Sequence, residues 1–427
     1  MTNSKVNFLI GTASAAVQIE GSLPYTNWHK WADTPGKIAD GSSPEPATDH
    51  WNRWREDNAL MQELNLQIAR ISIDWARIEP KPGNFDLTAL ERYREEIIDL
   101  KERGIRPLVT LHHFGHPQWF DDLGGFTKLE NVSLFLRFIS QVLKHLGDLV
   151  DDWITVNEPN ILATNSHLYG VFPTGEKSFR KLFAMLRCFA VAHIRAYKLI
   201  HQKLDRPGRK IQVSFAHAIR AFDPLNPRNP LHRFSAKVTE FLFQRIIEDA
   251  CFTGKFHPLL GIRPKDLQAG KYCDVIAVNY YTRSASGFLS DGVFPGTPVT
   301  DLGWEIFPQG LTDVVGELYH RHHLPIWVTE NGCADNGDGI DPASERFRRK
   351  YLHDHFMQMI KSGLPFERYY HWCFVDNWEW AEGMIPHFGI VGMEPGTLNR
   401  KVKESAKMLR DIINAGEIND DIRERYL

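Results

Sequence analysis

Gln67-Ile68-Ala69-Arg70-Ile71-Ser72-Ile73-Asp74 is an apolar run that stops at a charged residue, and Arg106-Pro107-Leu108-Val109-Thr110-Leu111-His112 is a second one. Between them, residues 87–103 show helical spacing, with Leu90, Ile97, Ile98 and Leu100 on the apolar side and Arg92, Glu95, Lys101 and Glu102 on the polar side. Gly104 ends that segment. Strands that are apolar almost throughout, each followed by an amphipathic helix, predict a parallel sheet buried on both faces.

Outward from this stretch the same unit recurs along the chain. Candidate strands fall at 8–12, 67–74, 106–112, 153–157, 211–217, 274–279, 325–329 and 369–375. Candidate helices fall at 51–64, 87–103, 129–149, 178–204, 231–249, 310–322, 344–362 and 402–414. Eight strand-helix units predict an α/β protein, a single (β/α)8 TIM barrel domain over 1–427 with elaborated βα loops; an open doubly wound sheet is the alternative. The Pro- and Gly-rich pieces at 221–230 and 291–298 follow strands and read as loops over the mouth.

The 427 residues carry 50 Lys plus Arg against 53 Asp plus Glu, a formal charge of −3, with 43% hydrophobic residues, 12 Trp and 26 Phe. That composition builds a large core and excludes the disordered class. A charge so near zero offers no reason to bind a phosphate backbone, so no nucleic-acid partner is expected. The five cysteines lie within 188–373 without a CxxC or close pair and read as reduced thiols. The apolar stretch 6–10 is short for a secretory signal and has only Lys5 as a positive flank. Nor does any stretch approach the roughly 18 apolar residues of a membrane span. The expected compartment is the cytoplasm, with no membrane partner and the oligomeric state left open.

A barrel assembles its reacting groups at the carboxyl ends of the strands. There the fourth run ends Thr155-Val156-Asn157-Glu158-Pro159, and the seventh ends Val328-Thr329-Glu330-Asn331-Gly332. A Glu at the end of an apolar strand is costly to desolvate unless it is paired or used, so two facing one mouth point to a working pair; salt bridges to loop cations are the alternative. The eighth run continues Trp372-Cys373-Phe374-Val375-Asp376-Asn377-Trp378-Glu379-Trp380. Indoles stack on the C–H faces of sugars and a carboxylate bonds hydroxyls, although a single Trp is equally a core filler. Gln18, His113, Asn157, Asn279 and Tyr281 add polar ends, and together these describe a cup for a polyhydroxylated ligand.

The chain resembles the family 1 glycoside hydrolases, retaining β-glycosidases of the β-glucosidase type. The resemblance rests on Phe8-Leu9-Ile10-Gly11-Thr12-Ala13 with Gln18-Ile19-Glu20-Gly21, Arg70-Ile71-Ser72-Ile73-Asp74-Trp75, Thr155-Val156-Asn157-Glu158-Pro159, Asn279-Tyr280-Tyr281, Thr329-Glu330-Asn331-Gly332 and Asp376-Asn377-Trp378-Glu379-Trp380. These motifs fall in the family's order across nearly the whole chain. The resemblance implies Glu158 as general acid and base and Glu330 as nucleophile. It implies that Arg70 keeps Glu330 ionised and that Tyr281 hydrogen-bonds it; a structural ion pair is the plainer reading of Arg70. It also implies that Gln18, His113, Glu379 and Trp380 bind the glycone, that Asn157 lies near the 2-hydroxyl with Asn279 in support, that Trp372 forms the platform under the ring, and that Trp304 stands near the aglycone entrance.

The implied chemistry is a double displacement on small β-glycosides, glucosides first and galactosides or fucosides next, with the two carboxyls about 5 to 5.5 Å apart. No cofactor and no metal is expected: His112, His113 and His116, or His353 and His355, lack a recognisable ligand spacing with a partnering acid. Two departures bear on the sugar. Phe114-Gly115 follows His113 where the family usually has Trp, and Met384 and His387 stand where aromatic and basic residues are common. The acidic run Glu379-Trp380-Ala381-Glu382 is similar to that of enzymes for unmodified sugars, since it would repel a 6-phosphate. A catalytically silent sugar-binding protein and a transglycosidase are the alternatives on this scaffold.

Overall fold

The apolar runs do become strands, because buried on both sides they satisfy their backbone groups only by pairing with one another. The computed structural model describes residues 4–288, 290–335, 342–394 and 396–427. Its strands are β1 (Leu9–Ala13), β2 (Ile68–Ser72), β3 (Arg106–Thr110), β4 (Asp152–Asn157), β5 (Gln212–Pro224), β6 (Ile276–Gly287), a short β7 (Ser290–Gly292), β8 (Ile326–Asn331) and β9 (Phe366–Trp372). Parallel pairing runs β1-β2-β3-β4-β5-β6-β8-β9 and returns from β9 to β1. The sheet is closed, so the fold is a (β/α)8 barrel and the doubly wound alternative is excluded.

Helices His50–Glu63, Leu87–Glu102, Val132–Leu146, Phe179–Leu204, Pro230–Glu240, Pro308–His322 and Pro342–Ser362 connect successive barrel strands, and Glu404–Ala415 follows the last. Their starts are set locally: Asp86 accepts from the Ala89 N–H and Ser178 from the Lys181 N–H. Helix Leu87–Glu102 buries Leu90, Ile97 and Leu100 as its spacing predicts, together with Tyr93 and Glu96, while Ile98 is only half-buried. Among the described residues no helix is long and apolar enough to cross a membrane.

Several boundaries differ from the sequence reading. The run at 369–375 is displaced: β9 starts at Phe366 and ends at Trp372. Its charged start is possible because Arg368 Nη1 reaches Asp152 Oδ2 at 2.8 Å and its guanidinium stacks 3.6 Å from the Trp327 ring centroid. The helix read at 231–249 is split into Pro230–Glu240, a wide turn Phe241–Arg245 and Ile246–Thr253. Val402 belongs to a small hairpin with Val391, ahead of helix Glu404–Ala415. The segments read as loops at 221–230 and 291–298 begin as strand: residues 221–224 pair with 283–286, and Asp291 and Gly292 pair with Ser286 and Ala285. Asp223 finds a partner across the ladder in Arg283 at 3.3 Å, which also meets Glu305 at 2.7 Å, so a charge there does not mean coil.

Register shifts sit late in β4 and β8 and midway along β6. Thr155 and Val156 oppose the single residue Phe215, Tyr281 and Thr282 oppose Arg220, and Thr329 and Glu330 oppose Tyr370. A bulge of this kind re-aims the side chains around it. The opposite end of the barrel is closed by Asp152, which accepts from both Arg106 and Arg368.

Candidate active site

At the carboxyl ends of the strands lies a cavity of 640 Å³. Nine of the twelve site residues read from the sequence line it: Glu158, Glu330, Tyr281, His113, Asn279, Trp304, Trp372, Glu379 and Trp380. Gln18, Arg70 and Asn157 are buried beside these and hydrogen-bond four of them, Glu379, Glu330, His113 and Asn279. Both glutamates therefore open onto a single space, and both are buried.

The buried polar groups leave each other little choice of orientation. Arg70 can only donate; its Nη1 meets Glu330 Oε1 at 2.5 Å and its Nη2 meets Asn157 Oδ1 at 2.6 Å. Asn157 must therefore turn its Nδ2 toward His113 Nε2, 3.1 Å away, and that ring nitrogen accepts. Burial holds His113 neutral, well below the usual histidine range, so its proton sits on Nδ1, a buried donor without a partner among the described residues. In the same way Thr329 Oγ1 donates to Asn279 Oδ1 at 2.6 Å, which commits Asn279 Nδ2 to Glu158 Oε1 at 3.0 Å and to Asn157 Oδ1 at 3.1 Å.

The two glutamates differ in their neighbours. Burial raises Glu158 to about 8, and the charge of Glu330 adds to the rise. Burial raises Glu330 too, but the Arg70 guanidinium and the Tyr281 hydroxyl, which donates to Oε2 at 2.8 Å, pull it back toward the ionised form. The arrangement can hold one carboxyl protonated and the other ionised near neutral pH.

Trp372 stacks on His113 with ring centroids 5.5 Å apart and, with Gln18, hydrogen-bonds Glu379. Gln18 Nε2 donates to Glu379 Oε2 at 3.0 Å and to the Trp378 carbonyl at 2.9 Å, leaving Oε1 buried and without a partner among the described residues. Burial raises Glu379 to about 8. Trp304 stands edge-on to Tyr281 at 5.4 Å on the wall of the cavity. Three cavity residues hold left-handed backbone, Phe114 at φ 64°, Glu158 at φ 42° and Trp380 at φ 52°, a strain that clusters at functional sites. Glu158 takes it between the end of β4 and Pro159, the first residue of helix Pro159–Thr164.

The chain matches the family model described as Glycosyl hydrolase family 1 over residues 3–418. It belongs to glycosyl hydrolase family 1. Family 1 relatives include beta-glucosidase A of Thermotoga maritima, 30% identical with 97% of this chain and 98% of that protein covered. Beta-glucosidase A of Acetivibrio thermocellus is 31% identical over 95% and 97% of the two chains, and a beta-galactosidase of Saccharolobus solfataricus 30% identical over 97% and 96%. A solved beta-glucosidase from Thermotoga maritima in complex with glucoimidazole superposes with a TM-score of 0.90 at 28% identity, covering 98% of this chain and all of that one.

Within this family 1 cavity the structure adds residues that the strand ends did not reveal: Trp31, Phe172, Ile219, Arg220, Leu302 and Phe388. Most sit in connections, where periodicity carries no signal. Ile219 and Arg220 are the exceptions, since both lie in β5. Phe114 packs 5.2 Å from Trp380, and Gly115 behind it has no room for a side chain, since a Cβ would stand 2.4 Å from Val17 Cγ2. His112 and His116 stack on each other inside a Phe cluster, and among the described residues no group of His, Cys, Asp or Glu could hold a metal. Cys333 and Cys373 are buried and do not line the cavity.

Proposed function

We propose that this family 1 enzyme is a retaining, exo-acting β-glycosidase that prefers β-glucosides and accepts β-galactosides. The carrying observation is the pair of buried carboxyls in one cavity, Glu330 between Arg70 and Tyr281 and Glu158 bonded, among the described residues, only to the Asn279 amide. Glu330, ionised, attacks the anomeric carbon while Glu158 gives its proton to the leaving oxygen. Esterified Glu330 no longer carries charge, so Glu158 falls in pKa and takes a proton from the water that releases the sugar. An acceptor alcohol in place of water would give transfer through the same intermediate.

Glycone recognition is read from the partnerless buried groups, Gln18 Oε1 and His113 Nδ1–H, which would bond sugar hydroxyls beside Glu379 and Trp380. The Trp372 indole would lie under the ring, and Asn157, supported by Asn279, near the 2-hydroxyl. The names of the relatives support glucosides and galactosides as the substrate class. All five cysteines are free and buried, in keeping with a reducing, cytoplasmic setting for one domain.

The deciding experiment is hydrolysis of an aryl β-glucoside followed by proton NMR of the first sugar released. β-Glucose appearing first, then mutarotating, is the expected result. First-formed α-glucose, or no turnover on any aryl β-glycoside, rejects the proposal.

A further inference from the structure

Among the described residues two Lys or Arg side chains line the cavity, Lys37 and Arg220. Lys37 comes from the connection after β1 and keeps its ammonium 4.3 Å from the Trp31 ring centroid. Arg220 comes from β5, four strands away round the barrel. Its neighbour in the ladder, Arg283, is spent on two carboxylates at short range. By contrast, Arg220 Nη1 reaches only Ser284 Oγ at 3.5 Å and Asp291 Oδ2 at 4.0 Å, with its guanidinium 5.1 Å from the Phe243 ring centroid. No short ion pair engages its fork of donors among the described residues.

Arg220 stands opposite Tyr281 and Thr282 in the ladder and lines the same cavity as Glu158, the carboxyl that would protonate the leaving oxygen, near enough for its charge to act on it. Ile161, Ala218, Ile219, Thr282 and Trp304 line the cavity with it, an apolar and aromatic surface. Such a wall fits a flat hydrocarbon body, and a guanidinium at its edge donates two parallel hydrogen bonds to a carboxylate.

We propose that Arg220 makes this wall a subsite for aromatic leaving groups that carry a carboxylate, so that phenolic-acid glucosides are preferred over neutral aryl glucosides of the same size. The inference rests on the glycosidase reading of the cavity and assigns its leaving-group chemistry. Asp291 and the ionised carboxylates at the mouth oppose the incoming anion, so the preference should shrink as salt screens Arg220.

The test compares 4-carboxyphenyl and 4-carbamoylphenyl β-glucosides, which differ in charge and hardly in size. The wild type should favour the carboxylate by roughly tenfold in kcat/KM, mostly through KM. Arg220→Gln should bring the ratio to about one, Arg220→Lys should keep part of it, and Lys37→Gln should leave it standing. A wild-type ratio of one or less overturns the proposal. So does a ratio that survives Arg220→Gln while both substrates shift equally in pH profile, or one lost equally with Lys37→Gln. Failure to cleave either glucoside would instead sink the glycosidase reading.

Discussion

Arg70 Nη1 lies 2.5 Å from Glu330 Oε1, whereas among the described residues Glu158 has no ion-pair partner. One cation given to one of two buried carboxyls divides a single proton between them. The division has measurable consequences.

The alkaline limb of kcat/KM reports the acid. Burial and the Glu330 charge raise Glu158 to about 8, so activity should fall as pH rises through about 8. In Glu330→Gln the charge is gone, and carbon NMR of the Glu158 carboxyl should find its titration moved to lower pH. An unmoved titration would mean that the two groups do not sense each other.

The same shift acts on stability. The folded state holds the Glu158 proton between its ordinary range and about 8, and the unfolded chain does not, so stability falls as pH rises across that window. Glu158→Gln removes this cost. Its melting temperature should exceed that of the wild type by about 2–4 °C at pH 8.5 and by much less at pH 5, an order of magnitude set by the large unfolding entropy of a chain this long. Equal differences at both pH values would contradict the shift.

Removing either carboxyl should separate their roles. Glu330→Ala should lose roughly a thousandfold or more of aryl glucosidase activity, about 4 kcal/mol of barrier. Added azide should then attack from the vacated face to give an α-glucosyl azide. Glu158→Ala should keep more activity on glucosides with good leaving groups and yield the β-azide. Identical products from the two variants would refute the assignment.

Arg70→Met would leave Glu330 buried without its cation and Asn157 without the donor that orients it. The expected cost is about 3–5 kcal/mol of stability, read by denaturant unfolding, together with a raised acid limb of activity as Glu330 protonates more readily. A stable variant with an unchanged pH profile would reduce Arg70 to a structural bridge.

Gly332 lies two residues beyond Glu330, and a Cβ there would stand 2.1 Å from the Trp372 carbonyl oxygen. The contact is with backbone and cannot be relieved by a rotamer. Gly332→Ala should cost about 1–3 kcal/mol and raise KM for glucosides by moving Trp372. Wild-type stability and KM would show that the two strand ends can part freely.

The eight strands were legible because burial on both faces imposes apolar runs, and the cavity lining was legible in part because Glu158, Glu330, Asn279 and His113 stand where those runs stop. What periodicity could not show was paired polar backbone. Residues 221–224 look like coil from Asp223 and Pro224, yet their partners across the ladder make them strand. The charged start of β9 was missed for the same reason, since Asp152, the partner of Arg368, is distant in sequence. Gln18, Arg70 and Asn157 were identified with the site, but which neighbour each one holds needed the hydrogen-bond directions. Trp31, Phe172 and Leu302 come from connections whose composition says nothing about where they point.

The continuation of β5 and β6 past Asn279, as far as Pro224 and Gly287, means that the cavity wall carrying Arg220 and Ile219 is lattice and not a loose flap. Inserting residues within it would break a ladder on which Tyr281 depends, while single side-chain exchanges at Arg220 or Ile219 would leave every rung in place. An engineer seeking new aglycones for this enzyme should therefore repaint this wall and lengthen other connections.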